Sequence, residues 1–150
     1  MPSWARNPPA SAHTVIDVFI DTNVLLYAAS GDPLETDKAQ KARALLRSIP
    51  FGISVQVLQE FYVNATGKLA KTIPGEALQQ VLRLMREQPI AALTPELFDA
   101  ALKLQQRYQI SYWDAAIVAA AKEMGAKTIY SEDLAHGQIY DGIQVLDPFV

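Results

Sequence analysis

Four carboxylates stand where an acid is out of keeping with its neighbours or opens a helix. Asp21 interrupts the apolar run VFIDTNVLL, Glu60 lies in VQVLQEFYV, Asp114 in SYWDAAIVAAA and Asp133 in IYSEDLA. An ionised carboxylate buried without a partner is costly, so Asp21 must be paired, hydrogen-bonded or bound to a cation. No lysine or arginine accompanies any of the four within these stretches, and the chain has no cysteine. Several carboxylates brought together need positive charge between them, and hard oxygen donors without thiolates favour Mg²⁺ or Mn²⁺ over zinc.

Each acid also has a local explanation. Asp-Thr-Asn is good capping chemistry after a strand, which suits Asp21. Glu60 lies off the centre of an apolar helix face, as a solvated residue would. Ser111-x-x-Asp114 fits a capping box, although Tyr112 and Trp113 make an apolar setting unusual for a mere cap. Asp133 in Ser-Glu-Asp-Leu suits a turn. What separates these explanations from shared chemistry is whether the four segments converge.

The elements that would have to position the acids follow from the apolar periodicity. Val15 to Ile20 is a short β-branched and aromatic run, the pattern of a buried strand. Thr36 to Arg47 has Ala39, Ala42, Leu45 and Leu46 at helical spacing. Phe51 to Ser54 is a brief strand, and Ser54 is placed to cap a helix with Val57, Leu58, Phe61, Tyr62 and Ala65 on its apolar face and Gly67 at its end. Pro74 to Met85 is amphipathic, and Ile90 to Leu93 is a strand. Thr94-Pro95-Glu96 is a strong helix start, and that helix runs to about Tyr108. A further, Ala-rich helix opens at Ser111 and stops at Gly125, with strands at Lys127 to Tyr130 and Gln144 to Leu146. Strands alternating with helices imply a three-layer α/β/α domain around a central, mostly parallel sheet. Sites in such sheets form at the carboxyl ends of the strands, and this topology directs Asp21, Glu60, Asp114 and Asp133 to the same edge.

Composition bounds what this domain can be. The 150 residues, half of them apolar, support one domain with a real core. A formal charge of −3 gives no global footprint of a nucleic-acid binder, though local patches and bound cations outweigh the sum. The lack of cysteine excludes a disulfide scaffold and suits a reducing, cytoplasmic setting. No apolar run approaches the ~20 residues that span a bilayer. Residues 1–14, MPSWARNPPASAHT, carry three prolines and no signal-peptide apolar segment, and are expected to be a flexible extension ahead of a domain over 15–150.

The ordered set DTN, a glutamate in the second helix, YWDAAIVAAA, SEDL and GIQVLDPF resembles PIN-domain ribonucleases, and in size and layout the VapC-type toxins of toxin–antitoxin pairs. The match covers about residue 16 to the end, with VFIDTNVLLYA and IYSEDLAHGQIYDGIQVLDPF the specific parts and residues 67 to 107 carrying little signature. The resemblance makes Asp21, Glu60, Asp114 and Asp133 an acidic quartet and the metal ligands. It makes Thr22, Asn23 and Ser131 the hydrogen-bonding supports around them. It implies hydrolysis of an RNA phosphodiester by water, with one or two Mg²⁺ or Mn²⁺ ions polarising the bond, and Asp21 and Asp114 contributing most of the coordination.

The same resemblance implies a small antitoxin partner whose tail lies over the site, and a homodimer. RNA binding could rest on Lys38, Lys41, Arg43, Arg47, Lys68 and Lys71, which could equally form a solvated helix face. His136 is placed as a general base, but that mechanism needs no histidine. Two rivals remain. A haloacid-dehalogenase-like phosphatase also uses an Asp after its first strand but wants a second Asp where this chain has Asn23. A PIN fold with a weak or silent site could serve as an RNA- or protein-binding scaffold.

Overall fold

The computed structural model describes residues 16–150, so the extension expected over residues 1–14 lies outside the described residues. The strands are β1 (Val18–Ile20), β2 (Ile53–Ser54), β3 (Ile90–Ala91), β4 (Thr128–Tyr130), β5 (Ile139–Tyr140) and β6 (Ile143–Leu146). The helices are α1 (Thr22–Ala29), α2 (Thr36–Ser48), α3 (Val55–Thr66), α4 (Gly75–Arg86), α5 (Pro95–Tyr108) and α6 (Tyr112–Met124), with a 3-10 turn at Pro33–Glu35. The arrangement is the expected α/β/α layering around a mainly parallel sheet.

In the sheet, β4 lies between β1 and β6, parallel to both, with Phe19 opposite Ile129 and Ile129 opposite Val145. These three side chains are fully buried, as central parallel strands covered on both faces require. The parallel pair β2–β3 joins β1 through the Phe19–Gly52 bridge, in which Ile20 N–H donates to Gly52 and Gly52 N–H to Val18. Gly52 leaves room there for the Met124 side chain, which would have to move if a Cβ were added 1.8 Å from its Sδ. Since all these strands run the same way, their carboxyl ends share one edge. Asp21 and Ser131 follow directly from it, and Ser54 ends β2 there.

Caps set the helix starts as the side-chain chemistry directs. Ser54, Thr94 and Ser111 accept hydrogen bonds from the N–H groups of Val57, Leu97 and Asp114. Gly125 ends α6 at φ +82°, a conformation that favours glycine. α6 packs on α5 and against β2, β3, β4 and β6, while α1 packs with α2, α3 and α4.

Three features differ from the sequence expectations. The run after Asp21 is an eight-residue helix, α1, which no periodicity longer than two turns announces. β5 and β6 form an antiparallel hairpin at the sheet edge. Its turn residue Asp141, at φ 49°, is held by Arg107, Lys122 and the Tyr108 hydroxyl. Tyr62, assigned to the apolar face of α3, is 54% exposed, because only Val57, Phe61 and Ala65 point fully inward.

Ile129 fills the middle of the central strand. Ile129→Ala is expected to lower unfolding stability by about 2–5 kcal/mol, read as a fall in the urea midpoint without a change in secondary structure.

Candidate functional site

Asp21 leaves β1 at the sheet edge and caps α1, so one carboxylate both ends the strand and begins the helix. Its Oδ1 accepts from Thr22 N–H at 2.8 Å. Its Oδ2 accepts from the Ser131 hydroxyl at 2.8 Å and from Asn23 Nδ2 at 3.4 Å. The residue is 6% exposed. Burial is the largest influence on its acidity and pushes its pKa up to about 6. The hydrogen bonds from Ser131 and Thr22 oppose that rise, and the nearby charges of Glu60 and Asp133 add to it.

Ser131 follows β4 and is fully buried. Its oxygen accepts from the N–H groups of Asp133 and Leu134 while its hydroxyl donates to Asp21. The turn that carries Asp133 is therefore built around the atom that holds Asp21. Asn23 closes the same ring. Its Oδ1 accepts from Glu132 N–H at 3.0 Å, and its Nδ2 reaches Asp133 Oδ2 at 3.3 Å.

Glu60 comes in from α3, and both of its oxygens are held. Oε2 accepts from the Thr22 hydroxyl at 2.9 Å, and Oε1 from Gln56 Nε2 at 2.8 Å. Gln56 is buried one helical turn before Glu60, and its Nε2 also reaches the Trp113 carbonyl at 3.3 Å. That contact ties α3 to the start of α6, where Asp114 is half-buried in the first turn. Burial raises the Asp114 pKa against a hydrogen bond from Ser111, with Asp133 and Glu60 raising it further.

All four acids thus face one region, and each of Asp21 and Asp114 is destabilised as an anion by Glu60 and Asp133. Among the described residues, none of the ion pairs identified reaches any of the four. The ion pairs among the described residues join Lys38 to Glu132, Lys41 to Asp37, and Arg107 and Lys122 to Asp141. By charge and donor type the quartet fits a hard divalent cation, whose arrival would remove the repulsion. The ligand spacing of a closed site is not formed. Among the described residues no three His, Cys, Asp or Glu side chains are gathered closely enough to hold a metal ion.

Thr22, Asn23 and Ser131 each contact a quartet carboxylate, and Gln56, which no motif marks, does the same. Its only sequence signal is the four-residue spacing from Glu60 on one helix face. The basic residues considered for RNA binding are engaged elsewhere in part. Lys38 bonds Glu132 and the Tyr27 hydroxyl, and Arg43 donates to the carbonyls of Ala28 and Ser30. His136 Nδ1 accepts from Asp147 N–H and so belongs to the C-terminal turn.

An acid whose pKa is raised on folding binds protons more tightly in the native state. In metal-free protein, Asp21 should therefore cost stability as pH rises from about 4 to about 6, reaching about 3 kcal/mol above that window. Asp21→Asn keeps a capping side chain and should be the more stable protein at neutral pH, the difference closing as pH falls to about 4. Urea unfolding in a chelator across this range measures both curves.

Residues 18–141 match the family model for the PIN domain. Among curated proteins none matches the chain. Solved structures share the fold. A toxin–antitoxin complex from Klebsiella pneumoniae aligns with TM-score 0.64 and 22% identity over 87% of this chain and 97% of that one. The Mycobacterium tuberculosis toxin VapC20, which cleaves the sarcin–ricin loop, aligns with TM-score 0.58 and 19% identity over 77% and 89%. VapBC2 from Rickettsia felis, bound to a promoter DNA fragment, aligns with TM-score 0.56 and 15% identity over 85% and 96%. With the family model spanning β1 to the turn after β5, and the acids at the carboxyl edge of its sheet, the chain belongs to the PIN domain family.

Proposed function

We propose that this protein is a divalent-metal-dependent ribonuclease and the toxin of a toxin–antitoxin pair, working in the cytoplasm. The observation that carries it is the buried Asp21 carboxylate, coupled to Glu60 and Asp133 and joined to no lysine or arginine in the ion pairs of the described residues. The similarity to an RNA-cleaving toxin and to toxin–antitoxin complexes supports the substrate and the partner.

Asp21 and Asp114 would hold most of the metal, with Glu60 and Asp133 completing its ligands or orienting the attacking water. When bound, Mg²⁺ or Mn²⁺ neutralises the acids and stabilises charge on the scissile phosphate and the leaving oxygen. The protein's own part is positioning. Ser131, Asn23 and Thr22 N–H fix the plane of the Asp21 carboxylate, and Thr22 and Gln56 hold the two oxygens of Glu60. Ligands held this way lose little freedom when a cation binds.

A cavity of about 290 Å³ opens beside the acids between α1 and α3, with Leu26, Tyr27, Leu69 and Ile73 among its apolar walls. It is the place for the tail of a small antitoxin. A homodimer belongs to the same reading. Among the described residues no helix is long and apolar enough to cross a membrane. The open spacing of the acids favours one other reading, a PIN fold serving as a silent scaffold.

Purified protein with Mn²⁺ should cut RNA, and chelation should stop it. Asp21→Asn and Asp114→Asn should abolish cleavage with the fold intact by circular dichroism. Gln56→Ala should reduce it roughly 10–100-fold. Inducing wild type and Asp21→Asn in cells, then mapping new RNA 5′ ends, identifies the target. Full activity of either Asn variant sinks the site, and a varied RNA panel left uncut, with induction tolerated, establishes the scaffold.

A further inference from the structure

Three cavities meet along one side of the carboxylates. The one of about 290 Å³ beside Asp133 shares Glu60 and Asn64 with a second of about 340 Å³. The second ends at Trp113, and a third of about 350 Å³ continues from Trp113 to Phe98 and Leu93. Through these shared residues the cavities adjoin one another, from Glu60 and Asp133 at one end to the aromatic wall of Trp113 and Phe98 at the other.

Trp113 is 64% exposed although it adjoins Asp114 in sequence. Its ring nevertheless leans on a neighbour. It meets Tyr112 edge-on, with centroids 5.1 Å apart, and Tyr112 lies 5.7 Å from the ring of Phe98. Its carbonyl accepts from the same Gln56 amide that holds Glu60, so the platform and the acid share one anchor. An exposed tryptophan braced on its neighbours offers a large flat surface whose orientation is already set, which lowers the entropy lost on contact.

The surrounding groups select what lands there. Gln56, Gln59 and Asn64 supply amides along the 340 Å³ cavity, and Glu60 is the one ionisable residue among the described residues that line it. Among the described residues no lysine or arginine lines either cavity flanking Trp113. A phosphate or a charged peptide would find no counter-charge. A neutral, planar heteroaromatic ring with hydrogen-bonding edges finds both a stacking face and amide partners. A second copy of the chain would use the apolar residues but not the amides beside Glu60.

We infer that Trp113 is the stacking platform for an unpaired nucleobase of single-stranded RNA, held next to the phosphate that the acids face. This rests on the ribonuclease reading and adds a positioning residue to it. Only an unpaired base can leave its neighbours to lie on the ring, so duplex RNA should bind weakly.

The test is a titration with short oligoribonucleotides, with Ca²⁺ present to neutralise the acids and Mg²⁺ and Mn²⁺ withheld. In a Trp4→Phe background, single strands should quench the Trp113 fluorescence, and the matching duplexes should not. Trp113→Ala should weaken binding roughly 5- to 150-fold, while Trp113→Tyr retains most of it. An oligonucleotide with one abasic position at the stacked site should lose as much affinity for the unaltered protein as Trp113→Ala costs, which requires no protein variant to fold. Absence of quenching, or equal binding by Trp113→Ala, overturns the inference. So does a Trp113→Ala protein whose only change is its oligomeric state in ultracentrifugation, which makes the patch an interface between copies. Cleavage without quenching removes the platform and leaves the ribonuclease standing. Quenching without cleavage under Mn²⁺ keeps the platform and removes the catalysis.

Discussion

A single desolvated carboxylate organises this protein. Asp21 sits where β1 ends, and burial alone would force it to take up a proton. What keeps it usable is a shell of donors from two distant parts of the chain: Thr22 N–H and Asn23 on one side, Ser131 on the other. Each donor in turn shapes something else. Ser131 builds the turn that carries Asp133, Thr22 holds Glu60, and Asn23 pins Glu132. Removing the carboxylate would therefore leave several polar groups looking for partners, while keeping it leaves a repulsion that only a cation resolves.

Much of this architecture is legible in the order of the residues alone. Ser54, Thr94 and Ser111 announce their helices, because a capping hydroxyl is a local device that needs no tertiary context. The strands are legible as short apolar runs, and parallel topology then brings Asp21, Glu60, Asp114 and Asp133 to one edge. The layered fold and the PIN family follow from the same segments. What stays hidden depends on three-dimensional neighbours. α1 is too short for its periodicity to declare itself, and β5 is only two residues long, its turn residue Asp141 being clamped by α5 and α6 from far away in the chain. Tyr62 is apolar enough to be assigned inward but has no core to face.

The same limit applies around the acids. Gln56 is an ordinary glutamine in the sequence, and its importance comes from touching Glu60 and Trp113 together. Lysines and arginines near a site look like substrate contacts until their partners are seen. Lys38 is drawn to Glu132 and lies over the rings of Tyr27 and Phe149, so it fastens the C-terminal segment to α1. Charge counting treats such a residue as free, and packing shows what it holds.

The bond between Ser131 and Asp21 spans 110 positions of the chain, and all three residues of β1 find their ladder partners in β4. Contacts of that separation form late, because a long loop must close before they return any stability. During synthesis, the polypeptide up to α6 can make helices and the β2–β3 pair, yet Asp21 lacks Ser131 until β4 and the turn after it emerge. The acidic pocket is thus completed only when the last third of the chain has emerged, and burying Asp21 before Ser131 arrives would remove its water without yet supplying the hydroxyl that replaces it.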